Sequence, residues 1–63
     1  MNWINTEDRM PESEDITCVV WLDGDYEFAW WVEGTNHWDS PEYGWIKWDR
    51  VTRWVALPKE VKS

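Results

Sequence analysis

Tryptophan is the residue that most limits what this chain can fold into, because eight of its 63 residues are tryptophan. Two tyrosines and one phenylalanine add to this aromatic content. A large aromatic side chain buries roughly 150–250 Å², and a domain of about 60 residues shelters only about 60% of the surface that its unfolded chain exposes. We therefore expect a small aromatic core and some indoles at the surface.

The charge of the chain is acidic and unevenly distributed. Residues 1–46 hold 11 acidic residues and one basic residue, a balance of −10, while residues 47–63 hold five basic and two acidic residues, a balance of +3, and the two sum to −7. Such a surface repels phosphate backbones. We expect no direct nucleic-acid binding, and a basic or nucleic-acid-binding protein as the partner.

The cysteine content and the N-terminus indicate a cellular compartment. Cys18 is the only cysteine, so the chain can close neither an internal disulfide nor a cysteine-based zinc site. Secreted domains of this size usually need disulfides, which favours the reducing cytoplasm. Residues 1–7 lack the basic start and apolar run of a signal peptide, and no stretch approaches the ~20 apolar residues of a membrane span. We expect a soluble protein without membrane association.

Short runs of β-branched and aromatic residues predict a mostly β fold. Residues 16–22 and 26–32 are two such runs, and the residues between them carry a hairpin signal. Residues 51–57 form another run, which Pro58 ends because proline cannot donate a hydrogen bond to a sheet. We expect a small antiparallel sheet of three to four strands, with a hairpin over 16–32, a last strand over 51–57 and little or no helix.

The remaining segments carry weaker patterns. Residues 37–39 are long enough for a short strand, 40–44 predict a loop, and 45–50 suit either a loop or one helical turn. Residues 1–15 are irregular and acidic, and residues 59–63 are expected to fray. We expect one small domain over 1–63.

The hairpin can close in two registers. A two-residue loop at Asp23-Gly24 would set carboxylates opposite Val20 and Leu22, which makes poor cross-strand pairs. A three-residue loop over 22–24, with a left-handed Gly24, would instead give one wholly apolar face. A slip of one residue turns every side chain to the opposite face, so we predict the three-residue loop. Its pairs would be Val20 with Tyr26, Cys18 with Phe28 and Ile16 with Trp30.

Three parts of the chain carry a family resemblance. Residues 3–11 read Trp-Ile-Asn-Thr-Glu-Asp-Arg-Met-Pro, residues 16–21 form the first long strand, and residues 51–58 read Val-Thr-Arg-Trp-Val-Ala-Leu-Pro. In these parts the chain resembles the bacteriophage and prophage domain of unknown function numbered 551. That family starts with Trp-Ile-Ser-Val, reaches Arg-Leu-Pro, and closes with Val-Thr-His-Trp-Met-Pro-Leu-Pro.

The resemblance covers most of the chain. Trp38 looks like the isolated tryptophan that follows the hairpin in that family, whereas residues 40–50 look like an insertion. The resemblance implies a phage or prophage accessory protein with one compact β-domain, located in the cytoplasm of the bacterial host. It implies no established activity.

The residues capable of nucleophilic or acid–base chemistry stand alone. His37 is the only histidine, and no serine or cysteine lies beside it in sequence as an evident nucleophile. We favour the interpretation that His37 is a turn histidine next to Trp38. The alternative is that it acts as the base of a one-base site. Cys18 alternates with Ile16 and Val20, where cysteine packs as a small hydrophobic group. We predict no catalytic residues and no enzyme activity.

The acidic residues show one spacing that suggests metal binding. Asp23, Asp25 and Glu27 follow the first, third and fifth ligand positions of a calcium loop, but Phe28 stands where the loop needs glycine and Gly34 where it needs glutamate. A solvated hairpin tip explains these carboxylates better. We predict no metal site and no cofactor.

The tryptophans that the core cannot hold are the best candidates for function. In the predicted register Trp21 and Trp31 point away from the apolar face, and clustered exposed aromatics usually mark a contact surface. The alternative is a second layer, in which the chain folds over both faces of the sheet. The predicted core comprises Trp3, Ile16, Cys18, Val20, Tyr26, Phe28, Trp30, Trp38, Trp54 and Leu57. The predicted contact surface comprises Trp21, Trp31, Trp45, Trp48, Asp25, Glu27, Glu33, Asp39 and Glu42.

Three functions fit these expectations. The first is a module that docks on a host protein through tryptophan anchors with acidic steering, in its sharpest form as a DNA-mimicking inhibitor. The second is a structural or assembly protein that self-associates into a homo-oligomer through an exposed tryptophan-rich face. The third is a binder of a small ligand, a sugar or a cationic amine, by stacking on indoles.

Overall fold

The computed structural model describes residues 2–13 and 15–58, and in these ranges six β-strands form one antiparallel sheet. A 3₁₀ turn (Trp48–Arg50) joins the last two strands. The order across the sheet is β1-β6-β2-β3-β4-β5. The strands are β1 (Ile4–Asn5), β2 (Cys18–Leu22), β3 (Asp25–Val32), β4 (His37–Ser40), β5 (Gly44–Lys47) and β6 (Val51–Ala56).

The predicted mostly β, antiparallel architecture is confirmed, but the predicted number of three to four strands is wrong. The two additional strands are β1 and β5. β1 has two residues, which is too short to show a period of two. β5 buries Ile46 alone among its four residues, so its sequence carries little apolar alternation. The expected frayed tail, 59–63, lies outside the described residues.

The hairpin between β2 and β3 adopts the register that the sequence argued against. Leu22 pairs with Asp25 and Val20 with Glu27, so the loop is the two residues Asp23 and Gly24. These residues have φ angles of 52° and 86°. Positive φ at both loop positions defines a type I′ turn, whose twist matches that of the flanking strands. The unfavourable carboxylate pairs are tolerated at the turn end of the hairpin, where Asp25 is exposed and Glu27 half-buried.

This register reverses the side-chain assignment along β3. Trp31, predicted as part of the contact surface, lies in the core with 6% of its surface exposed. Tyr26 and Phe28, predicted in the core, are 54% and 56% exposed. Trp30, also predicted in the core, is half-buried on the same side as Phe28. The core prediction is therefore wrong for these three aromatic residues. We call the buried side of the sheet the inner face and the opposite side the outer face.

The core lies on the inner face of a strongly curled sheet. The ring centroids of Trp38 on β4 and Trp54 on β6 lie 6.4 Å apart, although β2 and β3 separate their strands. Trp31 packs edge-on against Trp38 at 5.3 Å. Because only the three-residue 3₁₀ turn joins β5 to β6, it holds opposite ends of the sheet close together. The buried cluster comprises Cys18, Val20, Leu22, Ala29, Trp31, Trp38, Ile46, Val51 and Trp54, with Ile4, Met10 and Ile16 packed against it.

Two further residues predicted in the core lie at its margin. Leu57 is half-buried beyond the end of β6, where its N–H donates to the carbonyl oxygen of Thr17 at 2.9 Å. Trp3 is half-buried and stacks on Tyr26 of the outer face, so it does not anchor the core.

The N-terminal segment closes the inner face over β6. The Trp54 Nε1–H donates to the carbonyl oxygen of Arg9 at 3.0 Å, which lays the segment across the indole. Thr6 is buried, and its Oγ1–H donates to the carbonyl oxygen of Val51 at 2.9 Å. The Thr6 bond lies where the pairing of β2 with β6 shifts register between Trp21 and Leu22, which marks a bulge in β6.

Replacing Thr6 tests whether its hydroxyl supports this bulge. Thr6→Val keeps the shape but removes the donor to a buried carbonyl, and we expect the free energy of unfolding to fall by about 1–2 kcal/mol. Thr6→Ser keeps the hydroxyl and is the matched control, with a smaller expected loss. Urea denaturation followed by far-ultraviolet circular dichroism measures both. A larger loss in Thr6→Ser than in Thr6→Val would assign the role of Thr6 to its methyl group.

Candidate functional site

Six aromatic side chains share the outer face of the sheet. Residues directly opposite each other in an antiparallel pair point to the same side, so Trp21 lies with Tyr26, and Trp30 lies with Asp39 and Trp45. Tyr26, Phe28 and Trp45 are 54%, 56% and 60% exposed. We call this surface the outer aromatic face; it consists of Trp3, Trp21, Tyr26, Phe28, Trp30 and Trp45.

Arg53 holds one end of the outer aromatic face in place. It lies opposite Trp21 in the pairing of β2 with β6, and its guanidinium carbon is 5.0 Å from the Trp21 ring and 5.3 Å from the Trp3 ring. Tyr26 stacks on Trp3 at 5.6 Å and meets Trp21 edge-on at 4.7 Å. A cation over the face of an indole is attracted by the ring quadrupole. Two half-buried indoles are thus fixed around a cation that the protein itself supplies.

His37 fixes the other end of the face. It is buried as the first residue of β4, where the sequence predicted a turn histidine. Its Nδ1 lies 2.6 Å from Thr35 Oγ1 and its Nε2 lies 3.1 Å from Asp39 Oδ1. Because an ionised carboxylate only accepts hydrogen bonds, we assign Nε2–H as the donor to Asp39 and Nδ1 as the acceptor from the Thr35 hydroxyl. The imidazole stacks on Trp45 at 5.3 Å and 22°.

A hydroxyl, an imidazole and a carboxylate in sequence also form the arrangement of a hydrolytic triad. Here the three groups come from alternate positions, Thr35, His37 and Asp39, of one turn and the strand that follows it. Both ring nitrogens are engaged in orienting the ring against Trp45. The two hydrogen bonds orient the imidazole whose ring stacks on Trp45. In the sequence, the spacing of Thr35, His37 and Asp39 at every second residue was the signal that could have linked Thr35 to this group.

The residues of the predicted contact surface do not all come together. Trp21 and Trp45 lie on the outer aromatic face, whereas Trp31 is buried in the core. Trp48 is 37% exposed and belongs to the 3₁₀ turn, outside the six strands. Asp39 lies on the outer face between Trp30 and Trp45, and Glu33 lies in the turn after β3. Asp25, Glu27 and Glu42 lie near the hairpin end of β3.

A groove opens beside the hairpin end of β3. Its volume is about 270 Å³, and its lining residues are Tyr26, Glu27 and Phe28 of β3 and Glu42 of the turn between β4 and β5. The groove combines two exposed aromatic rings with two carboxylates. Sequence reasoning placed both rings in the core and therefore missed this groove.

The cysteine thiol lies away from these surfaces. Cys18 is fully buried on the inner face, where its S–H donates to the carbonyl oxygen of Ile16 at 3.7 Å. Burial raises the pKa of the Cys18 thiol from 9.0 to about 11. Among residues 2–13 and 15–58, no group of three histidine, cysteine or acidic residues is placed to hold a metal ion. In the same ranges no helix has the length and apolar character to cross a membrane.

Comparison of the chain with known proteins returned no matching family model, no matching curated protein and no matching solved structure.

Proposed function

We propose that this chain is a protein-binding module that docks a basic host protein on its outer aromatic face. The observation that supports the proposal most directly is the row of exposed rings on one side of the sheet, with Tyr26, Phe28 and Trp45 all more than half exposed. A small soluble domain rarely leaves adjacent aromatic rings in water unless they contact another molecule. A few residues supply most of the binding energy in protein interfaces, and tryptophan and tyrosine are enriched among them.

The charges favour a basic partner. Arg50 pairs with Asp23, Lys47 lies 3.7 Å from Asp49, and Arg53 lies between two indoles. The three basic residues between positions 47 and 53 therefore contact groups of the chain itself. The chain as a whole keeps a net charge of −7. A field of this sign attracts a basic protein and accelerates its association.

We infer from the resemblance to phage proteins that the partner belongs to a bacterial host and that the chain acts in its cytoplasm as a phage or prophage accessory protein. A nucleic-acid-binding protein fits the charge, since carboxylates then occupy the place of phosphates in the inhibited protein. No catalytic role is part of this proposal.

The other two functions receive less support from the geometry. Two copies that met through the outer aromatic face would each bring a charge of −7 to the interface; a sedimenting dimer at micromolar concentration would favour self-association instead. Between Trp3 and Trp21, a cationic small ligand would have to displace Arg53, which already occupies that space.

A pull-down from bacterial lysate tests the proposal. We expect the wild-type chain to retain one saturable partner whose affinity weakens with salt. The double variant Tyr26→Ser, Phe28→Ser removes two exposed rings, and we expect it to lose about tenfold or more in affinity, as for an interface anchor. Trp48→Ala removes an exposed ring of the 3₁₀ turn, outside the strands that carry the outer aromatic face, and is the matched control.

Retention that is insensitive to salt, or equal in the wild type and the double variant, would contradict docking on this face. Equal losses in the double variant and in Trp48→Ala would show that the aromatic rings act without regard to position.

A further inference from the structure

Among the strands formed by residues 2–13 and 15–58, none pairs with the edge of β3 nearest the hairpin. β4 pairs with β3 only through Trp30–Asp39, Trp31–Trp38 and Val32–His37. Extending this register by two residues would place Pro41 opposite Phe28. Proline has no backbone N–H and cannot continue a hydrogen-bonded ladder, and residues 41–43 turn away into β5 instead.

The backbone groups on this edge point outward from the sheet. In a two-residue hairpin the flanking pair, Leu22 and Asp25, exchanges both of its hydrogen bonds, and hydrogen-bonded residues then alternate along the strand. Glu27 is therefore bonded to β2, whereas Tyr26 and Phe28 direct their N–H and C=O groups to the open edge. The N–H of Tyr26 donates to Asp25 Oδ1 at 2.8 Å. Within the described ranges, no backbone group bonds the N–H or C=O of Phe28.

The side chains along this edge differ between the two faces. Tyr26 and Phe28 project on the outer face, while Glu27 projects on the side of Val20, its partner on β2. Glu42 lines the same groove from the turn between β4 and β5. The open edge is thus bordered by two aromatic rings on the outer face and by Glu27 on the other, and Glu42 lines the groove beside it.

We propose that this edge binds an extended segment of the partner protein by adding a strand to β3, and that the segment has the pattern apolar, basic, apolar. The basic side chain lies opposite Glu27 and meets the carboxylates of Glu27 and Glu42. The two apolar side chains lie opposite Tyr26 and Phe28. The pairing is antiparallel, like that of every other pair in this sheet. Strand addition of this kind takes affinity from the backbone and specificity from alternate side chains.

A second copy of this chain fits the edge less well than a basic segment. Antiparallel pairing of two β3 edges centred on Glu27 would place Glu27 directly opposite itself, and like charges in that position destabilise a sheet. Both copies would also carry a net charge of −7. The proposal rests on the proposed function, since it names the segment by which a basic partner is held.

The experiment titrates ¹⁵N-labelled protein with the peptide acetyl-Thr-Val-Lys-Val-Thr-amide at low salt. We expect amide shifts at Tyr26, Glu27 and Phe28, and hydrogen exchange at the Phe28 amide that slows by about tenfold or more at saturation. Methylating the backbone nitrogen of a peptide valine blocks a bond to the edge and is expected to raise Kd by about tenfold. Methylating the nitrogen of the peptide lysine, which points away from β3, is the matched control.

A second arm tests the charge. The protein variant Glu27→Gln, Glu42→Gln is expected to bind the lysine peptide about tenfold more weakly and to bind a norleucine analogue as the wild type does. Glu33→Gln, in the turn at the other end of β3, is the control and should leave both affinities unchanged.

Equal effects of the valine and lysine methylations, an unprotected Phe28 amide at saturation, or failure of the lysine peptide to bind would each overturn strand addition. The lysate experiment with Tyr26→Ser, Phe28→Ser is independent of these peptides. If the wild type retains a partner that the double variant loses, while strand addition fails here, docking on the outer aromatic face stands and the contact is made by the rings without an added strand.

Discussion

Trp38→Ala is expected to leave the chain largely unfolded. Trp38 is fully buried, and its indole lies between those of Trp31 and Trp54, at 5.3 Å and 6.4 Å. Truncating a buried tryptophan to alanine costs about 3–5 kcal/mol, and a core in a domain of this size rarely supplies more than about 3–5 kcal/mol in total. Removing this one side chain therefore consumes most or all of the stability of the domain.

Two further variants make this prediction specific. Trp48→Ala truncates a partly exposed indole in the 3₁₀ turn, and we expect a loss of less than about 1 kcal/mol. Trp38→Phe is expected to fall between the two, because Trp38 Nε1 has no hydrogen-bond partner among the described residues, so the substitution removes no hydrogen bond. Circular dichroism and urea denaturation measure all three. A folded, cooperative Trp38→Ala variant would show that the sheet does not depend on contact between β4 and β6.

The second large effect is expected in alkali. Because burial raises the pKa of the Cys18 thiol from 9.0 to about 11, the folded chain holds this proton more tightly than the unfolded chain. The resulting stabilisation is complete below pH 9 and is lost as the pH rises through 11. The loss is at most about 1.4 kcal/mol for each pH unit in this interval, or about 3 kcal/mol over the whole of it.

The comparison with Cys18→Ala isolates this effect from the tyrosines and lysines that titrate in the same range. That variant is less stable at pH 8 because it leaves a cavity, but its free energy of unfolding should fall less steeply between pH 9 and 11. Parallel pH profiles for the two proteins would contradict burial as the origin of the raised pKa. Iodoacetamide gives a second measurement: the native thiol should react far more slowly than in urea.

The sequence predicts the class of the fold because β-branched and aromatic residues are dense in 16–32 and 51–57. It does not predict the register of the hairpin. Cross-strand pairing favoured three loop residues, but the geometry of a type I′ turn at Asp23 and Gly24 determined the outcome. The cost of the two carboxylate pairs depends on their exposure at the hairpin end, which is a property of the folded chain and not of the local sequence.

The same slip of one residue explains what was missed in the candidate site. Tyr26, Phe28 and Trp30 changed face with Trp31, so three members of the outer aromatic face were placed in the core and one core residue was placed outside. Trp21 and Trp45 were predicted at the surface and lie on the outer face. Arg53 had no signal in the sequence, because its neighbours Trp3 and Trp21 come from distant parts of the chain.

The position of β6 between β1 and β2 bears on how the protein is made. During translation β1, Thr6 and β2 are made before β6, the strand to which each of them bonds. Thr6 and its partner Val51 are 45 residues apart. In a nascent chain that ends before residue 51, β2 lacks its partner strand β6 and Trp38 lacks its contact with Trp54. Native pairing in this half of the sheet therefore follows translation of β6. Until then, apolar side chains of the inner face are accessible to chaperones.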